Sequence, residues 1–282
     1  MTMPIKPPTP TAPWLLYAYP WMPYPRRLII FLRERNIPPS LVTVVQVSDP
    51  HLGNQVVQSA QFPPRPAGSL PILAIARTAT EDNGDDGFVY IRQSLAIMSF
   101  LEDICAAGQY GFLPALQGNT APDEETVLIR KAQHNELLAL ADELTASWNA
   151  VRTFGSGAGT MRMPSAAREM LRWTHRTLQA VETFLRHHPP ALRSGPATIA
   201  EITLYQFLEF TRDCYGIDMA KASGEKVVDV YGREVVQAYP RLTQFVEAFG
   251  TRDSARRDAD AGEVPGAEVA RRMRDWSVGI FD

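Results

Sequence analysis

Residues 14 to 32, WLLYAYPWMPYPRRLIIFL, run from an apolar stretch through three closely spaced prolines to an arginine pair. A strand end that feeds a helix N-terminus is a place to hold an anion or a thiolate, because backbone N–H groups there have no partner within the helix. The reactive position of this turn is occupied by Met22, which neither donates a useful hydrogen bond nor attacks as a nucleophile. Other reagents are few. The two cysteines, Cys105 and Cys214, are far apart and each falls inside a helical pattern, which is neither a disulfide framework nor a metal-ligand cluster. Five histidines include the neighbours His187 and His188, and no H-E-x-x-H spacing occurs, so no metal centre is expected.

The elements that position this turn follow from pattern. Residues 1–13 are proline-rich and read as an extended tail, and residues 14–19 (WLLYAY) read as a buried strand. A helix is expected from Pro25 to Ile37, with Pro23 and Pro25 near its first turn, where a missing N–H is no loss. The β-branched LVTVVQV (41–47) is the second strand. After a polar connection from Ser48 to Gly68 come LPILAIA (70–76) and FVYI (88–91), two strands separated by EDNGDDG. In QSLAIMSFLEDI, Ile97, Phe100, Leu101 and Ile104 recur at helical spacing, with Ser94 as the expected N-cap. This is an α/β unit of about 90 residues, a usual size for one domain.

From about residue 120 no convincing strand is read. Helices are expected over 122–153, 165–187, 199–215 and 234–250, with a flexible GSGAGT connection at 155–160. Thr198 and Glu201 form a capping box that starts the third of them. The remaining tail is expected to end in a short helix docked through Trp276 and Phe281.

Composition narrows the class. A chain of 282 residues points to two domains, and 45% hydrophobic with 21% charged residues is ordinary for a globular protein. A formal net charge of -3 gives no basic stripe for nucleic acid. No stretch approaches the length of a membrane-spanning helix, and the start lacks a secretory h-region. With two isolated cysteines, a reducing, cytoplasmic setting is the expectation.

An α/β unit followed by helices, with these punctuation marks, resembles the cytosolic glutathione transferase superfamily. The likeness rests on GSLPIL, GFVYIRQSLAIMSFLED, TIAEITLY and YPRLTQFVEAFGTR, which occur in the family's order between about residues 15 and 255. It implies a thioredoxin-like α/β domain over residues 14–106, a linker over 107–119, an all-α helical-bundle domain over 120–255 and a C-terminal tail over 256–282. It further implies that glutathione pairs with the backbone of Leu70 ahead of a cis-proline at Pro71, while Gln93 and Ser94 hold its γ-glutamyl end. An exposed strand edge and a helix N-terminus supply the physical means. Ordinary alternatives stand beside these: Ser94 as a simple cap, and Pro71 as the first residue of an edge strand. The resemblance also implies a homodimer, with glutathione as co-substrate and a small electrophile as the other substrate.

Met22 falls where serine or cysteine classes of that family keep their reactive residue, with Arg27 on the family's arginine. Without a thiol there is no mixed disulfide to form, so thiol-transfer chemistry lacks its nucleophile. The remaining donors to a glutathione thiolate are Tyr17 and Tyr19, near the strand end where the tyrosine classes keep their hydroxyl, and Tyr24 in the turn. Alternation points Tyr17 and Tyr19 the same way, and the nearer to the helix, Tyr19, is preferred; the plain alternative is a pair of core aromatics. A phenol donating to sulfur favours the thiolate, and one pKa unit corresponds to about 1.4 kcal/mol. Met22 then lines an apolar acceptor pocket with Trp21 and Tyr24, or simply fills a gap. His134 and Asn135 on the long helix are further acceptor contacts, or part of a solvated helix face. Two functions fit: an enzyme that adds the glutathione thiolate to an apolar electrophile or uses it to isomerise one, and a non-catalytic binding protein that keeps the fold.

Overall fold

The structure, a computed structural model, describes residues 13–47, 61–76, 87–106, 124–156, 160–189, 195–221 and 223–281. The proline-rich start, most of the Ser48–Gly68 connection, the EDNGDDG turn but for its last glycine, the 107–119 linker and the middle of GSGAGT lie outside those residues, as does the side chain of Phe281. The chain divides into two compact units, one of Met1–Gly118 with Arg257–Val264, the other of Asn119–Arg256 with Pro265–Asp282.

The first unit is built on a four-stranded sheet in the order β2-β1-β3-β4. Its strands are β1 (Trp14–Ala18), β2 (Val42–Gln46), β3 (Ile72–Ala76) and β4 (Phe88–Arg92). β1 is central and buried along its length, which is why its sequence reads as a continuous apolar run rather than an alternation. β1 and β2 are parallel, joined through α1 (Pro23–Glu34); β3 runs antiparallel to both β1 and β4. Helix α2 (Ser94–Ala106) follows β4. It packs on α1, where the buried Arg35 meets Glu102 at 2.8 Å. Burial, with Glu102 beside it, pushes the Cys105 thiol up to about 11, which marks it as inert packing.

Helix α1 departs from expectation at both ends. It begins at Pro23 instead of Pro25, because proline's fixed φ suits the first helical position. It ends at Glu34, not Ile37: Asn36 adopts a left-handed φ of 51° and Pro38 and Pro39 follow, which stops the helix. Its outer face carries Arg26 and Arg33, both bound to the buried Glu263 of the Arg257–Val264 segment. Gly262 brings that segment onto Gln46 of β2 at a φ of 69°; a Cβ there would stand 2.6 Å from the Gln46 side chain.

The second unit contains α3 (Glu124–Gly155), α4 (Pro164–His187), α5 (Ile199–Tyr215), α6 (Pro240–Gly250) and α7 (Ala267–Phe281). α5 is buried nearly all round. The Thr198/Glu201 capping box starts it, and Gly216, at a left-handed φ of 73°, closes it. α7 packs on α3, α4 and α5 and buries Val269 and Met273, whereas Trp276 is only half-buried. The expectation of no strand after residue 120 is corrected by a short hairpin, β5 (Lys226–Val228) with β6 (Glu234–Val236). Residues 234–239 therefore do not extend α6, which waits for Pro240. Strands of three residues give too little alternation to be separated by pattern from the helix that follows.

In this unit the Nδ1 of His175 lies 3.0 Å from the Tyr239 hydroxyl. Burial lowers the imidazole pKa from 6.5 to about 4. Between those values the unfolded chain binds the proton and the folded chain does not, so stability falls as pH drops from 6.5 toward 4. The full loss attributable to this one group is about 3 kcal/mol. Urea midpoints measured at neutral pH and near pH 4.5 should separate less in His175→Gln, which keeps a polar partner for Tyr239 but does not titrate. An unchanged separation would show that His175 is not the group responsible.

Candidate functional site

The sheet register decides which of the candidate residues meet. Tyr17 pairs with Ile72 across β1 and β3, and Ile72 with Arg92 across β3 and β4. Just past those strand ends, at the end of the sheet where β1 and β4 finish and β3 begins, come Tyr19, Leu70, Gln93 and Ser94. Tyr19 and Leu70 indeed pack on one shared apolar cluster, that of Leu15, Tyr17, Val45 and Ile72. The Leu70–Pro71 peptide is cis. Two helices begin at this end of the sheet, α1 at Pro23 and α2 at Ser94.

Ser94 is the first helical residue of α2, so the expected N-cap position falls one residue earlier, on Gln93. The Gln93 carbonyl accepts the Ile97 N–H at 3.0 Å, and its φ is 72°, a left-handed value rare for a residue with a side chain. Backbone outliers of this kind gather at ligand clamps. Gln93 is exposed whereas Ser94 is only 3% exposed, so the glutamine presents most of the polar surface here.

At the start of α1, Met22 occupies the N-cap with no side-chain hydrogen bond to the helix. The first three helical residues are Pro23, Tyr24 and Pro25, so Tyr24 is the one among them that carries an N–H; the fourth, Arg26, gives its N–H to the Met22 carbonyl at 2.8 Å. The rich set of open amides expected at this turn is thereby reduced by the two prolines. The positive end of the helix dipole remains, with the Arg27 guanidinium 5.0 Å from the Tyr24 ring.

The two strand tyrosines part company. Tyr17 is 1% exposed and its hydroxyl donates to the Pro63 carbonyl at 2.9 Å, so it belongs to the core and is withdrawn as a catalytic candidate. Tyr19, half-buried just past β1, stays at the sheet end. Trp21 is buried and offers almost no surface for an acceptor, while Met22 and Tyr24 are half-buried. His134 and Asn135 lie on α3, the first half-buried and the second exposed. Sequence reasoning missed Arg65 and Arg92, which brace the loop before Leu70 by donating to the carbonyls of Gly68 and Ala67. An arginine directly before Gln93 was the available signal. Among the described residues no group of acids, histidines and cysteines is arranged to hold a metal, and no helix is long and apolar enough to cross a membrane.

A four-stranded sheet with a cis-proline at the head of its third strand, followed by a helical unit, is the fold of the glutathione transferases. No family model matches the sequence, and no curated protein matches it. Solved structures carry the comparison. A glutathione S-transferase from Methylobacillus flagellatus with glutathione bound aligns over 90% of this chain and 100% of its own, with a TM-score of 0.57 at 17% identity. A glutathione transferase family member from Pseudomonas fluorescens, also with bound glutathione, aligns over 90% and 100% with a TM-score of 0.55 at 19% identity. Glutathione transferase Omega 2C from Trametes versicolor aligns over 96% and 100%, with a TM-score of 0.53 at 17% identity.

Proposed function

We propose that this protein binds glutathione at the end of its sheet, holds the thiol as thiolate beside Tyr19, and adds that thiolate to a small apolar electrophile or uses it to isomerise one. The observation that supports the reading is that Tyr19, Leu70, Gln93 and Ser94 all lie just past strand ends at the one end of the sheet where α1 and α2 begin. In this arrangement the Leu70 backbone pairs with the peptide part of glutathione. Gln93 and the start of α2 take its γ-glutamyl carboxylate, favoured by the helix dipole. The Tyr19 hydroxyl donates to sulfur, and Met22 with Tyr24 faces the electrophile. The glutathione-bound structures named above support the ligand. A homodimer in the cytoplasm, with a small electrophile as second substrate, belongs to the same proposal.

The test is retention on immobilised glutathione followed by a chlorodinitrobenzene assay. Retention with turnover is expected, and Tyr19→Phe should lower kcat/KM at least about tenfold with little change in retention, since it removes a donor to the charged sulfur. Failure of the wild-type protein to be retained would end the glutathione reading. Retention without turnover, unaffected by Tyr19→Phe, would favour the second reading, a binding protein of this fold. That alternative is supported by Met22 at the cap and by the proline pair that strips amides from the start of α1.

A further inference from the structure

The backbone of Leu70, which the proposed function pairs with glutathione, is delivered by a loop with few holds of its own. Residues 64–69 (PRPAGS) are neither helix nor strand, and among the described residues none of them takes part in a backbone–backbone hydrogen bond. Arg65, Ala67, Gly68 and Ser69 are all exposed. A segment with so few bonds and so little burial belongs to the least stable parts of a fold unless something outside it ties it down. Side chains meet its carbonyls instead. Arg65, within the loop, donates to the Gly68 carbonyl at 2.6 Å, and Arg92 donates to the Ala67 carbonyl at 3.4 Å.

Of these two, Arg92 comes from the sheet. It ends β4, opposite Ile72 of β3, and its guanidinium lies 5.3 Å from the Tyr90 ring. Tyr90 in turn stacks on Phe88 at 6.2 Å, and both pack on the apolar cluster that also receives Tyr19 and Leu70. A Cβ on Gly68 would stand 3.4 Å from the Arg92 Nε, and the φ of 120° at this glycine is one that residues with side chains rarely adopt. The arginine therefore lies against the loop at the point where the loop has no side chain. It has no carboxylate partner among the described residues to draw it elsewhere. One side chain thus ties the loop that carries Leu70 to the strand that leads into Gln93 and Ser94.

We infer that Arg92 is a positioning residue of the glutathione site, an inference that rests on the function proposed above. It acts through the loop: by holding Ala67 it sets the Leu70 backbone against the start of α2 before the ligand arrives, so that less freedom is lost on binding. Calorimetric titration with glutathione, together with backbone amide relaxation of the free protein, tests it on the full-length chain. Arg92→Met keeps the aliphatic stem but loses the N–H donor and the charge over Tyr90. It should raise the glutathione Kd about fivefold, the worth of one exposed hydrogen bond, and matching melting temperatures establish that the fold is kept. In the free variant the order parameters of Ala67, Gly68 and Ser69 should fall. Arg92→Lys, which keeps a cation and a donor, should restore most of the affinity. Gly68→Ala, which crowds the arginine and strains the backbone, should weaken binding by a separate route. Equal affinity in Arg92→Met, unaltered order parameters or no rescue by lysine would each overturn the positioning role and leave the glutathione reading standing. A wild-type protein that binds no glutathione would overturn both.

Discussion

Glu263→Ala is expected to destabilise the protein by about 3–5 kcal/mol, the usual consequence of stranding a buried charge. The Glu263 carboxylate accepts from Arg26 at 2.7 Å and from both terminal nitrogens of Arg33, at 3.0 and 2.5 Å. It also takes the backbone N–H of Asp258 at 3.2 Å. Arg26 is fully enclosed, whereas Arg33 is a third exposed and can reach water. Removing the acid alone therefore leaves one cation in the interior. Replacing the enclosed pair together, as Arg26→Met with Glu263→Leu, should recover most of the loss, since an apolar pair of similar volume avoids the desolvation of both ions. Urea midpoints for the single and double variants measure the difference. A double variant as unstable as Glu263→Ala would show that the ion pair is not what holds this segment on α1. Because α1 carries Tyr24 and is capped by Met22, Glu263→Ala should also loosen that side of the proposed glutathione site.

The second large effect is expected at Glu182, another fully buried acid. Helix α6 has Tyr239 at its N-cap, no side-chain cap of its own and no acidic residue in its first turn. Pro240 at its first position has no N–H, and the next two amides, those of Arg241 and Leu242, both donate to the Glu182 carboxylate of α4, at 2.9 and 3.0 Å. A glutamate some 60 residues earlier thus does what an N-cap oxygen does elsewhere. Glu182→Ala leaves the buried Leu242 amide and the part-buried Arg241 amide without an acceptor and should cost about 2–3 kcal/mol. Glu182→Gln keeps one carbonyl oxygen and should cost about half of that, the charge–dipole part being lost. Hydrogen exchange at Arg241 and Leu242 should speed up in both variants, more in the alanine. Unaltered protection of those two amides would refute the capping role.

The parts of this protein that were legible in its sequence are those whose partners lie nearby along the chain. WLLYAY, LVTVVQV and PILAIA announce strands by composition, and the Thr198–Glu201 box fixes a helix start within four residues. Leu70, Pro71, Gln93 and Ser94 were reached only through the likeness of GSLPIL and GFVYIRQSLAIMSFLED to the glutathione transferases, because the strand order that puts them at one end of the sheet is set by distant pairings. What was not legible depends on distant encounters. Tyr17 and Tyr19 look alike in sequence, and only the Pro63 carbonyl separates the core phenol from the one at the site. The loss of amides at α1 depends on starting the helix two residues earlier than its apolar pattern suggests. Neither Glu182 nor Glu263 carries any local signal of its task, because the groups they satisfy come from other elements.

The return of Arg257–Val264 to the first unit also bears on how the chain is made. Synthesis delivers Arg26 237 residues before Glu263, and α3 to α6 of the helical unit emerge in between. A nascent first unit therefore lacks the Glu263 carboxylate against Arg26 and Arg33 until α3 to α6 have been made, so the first unit cannot complete this part of its packing in the N-terminus-first order common on the ribosome.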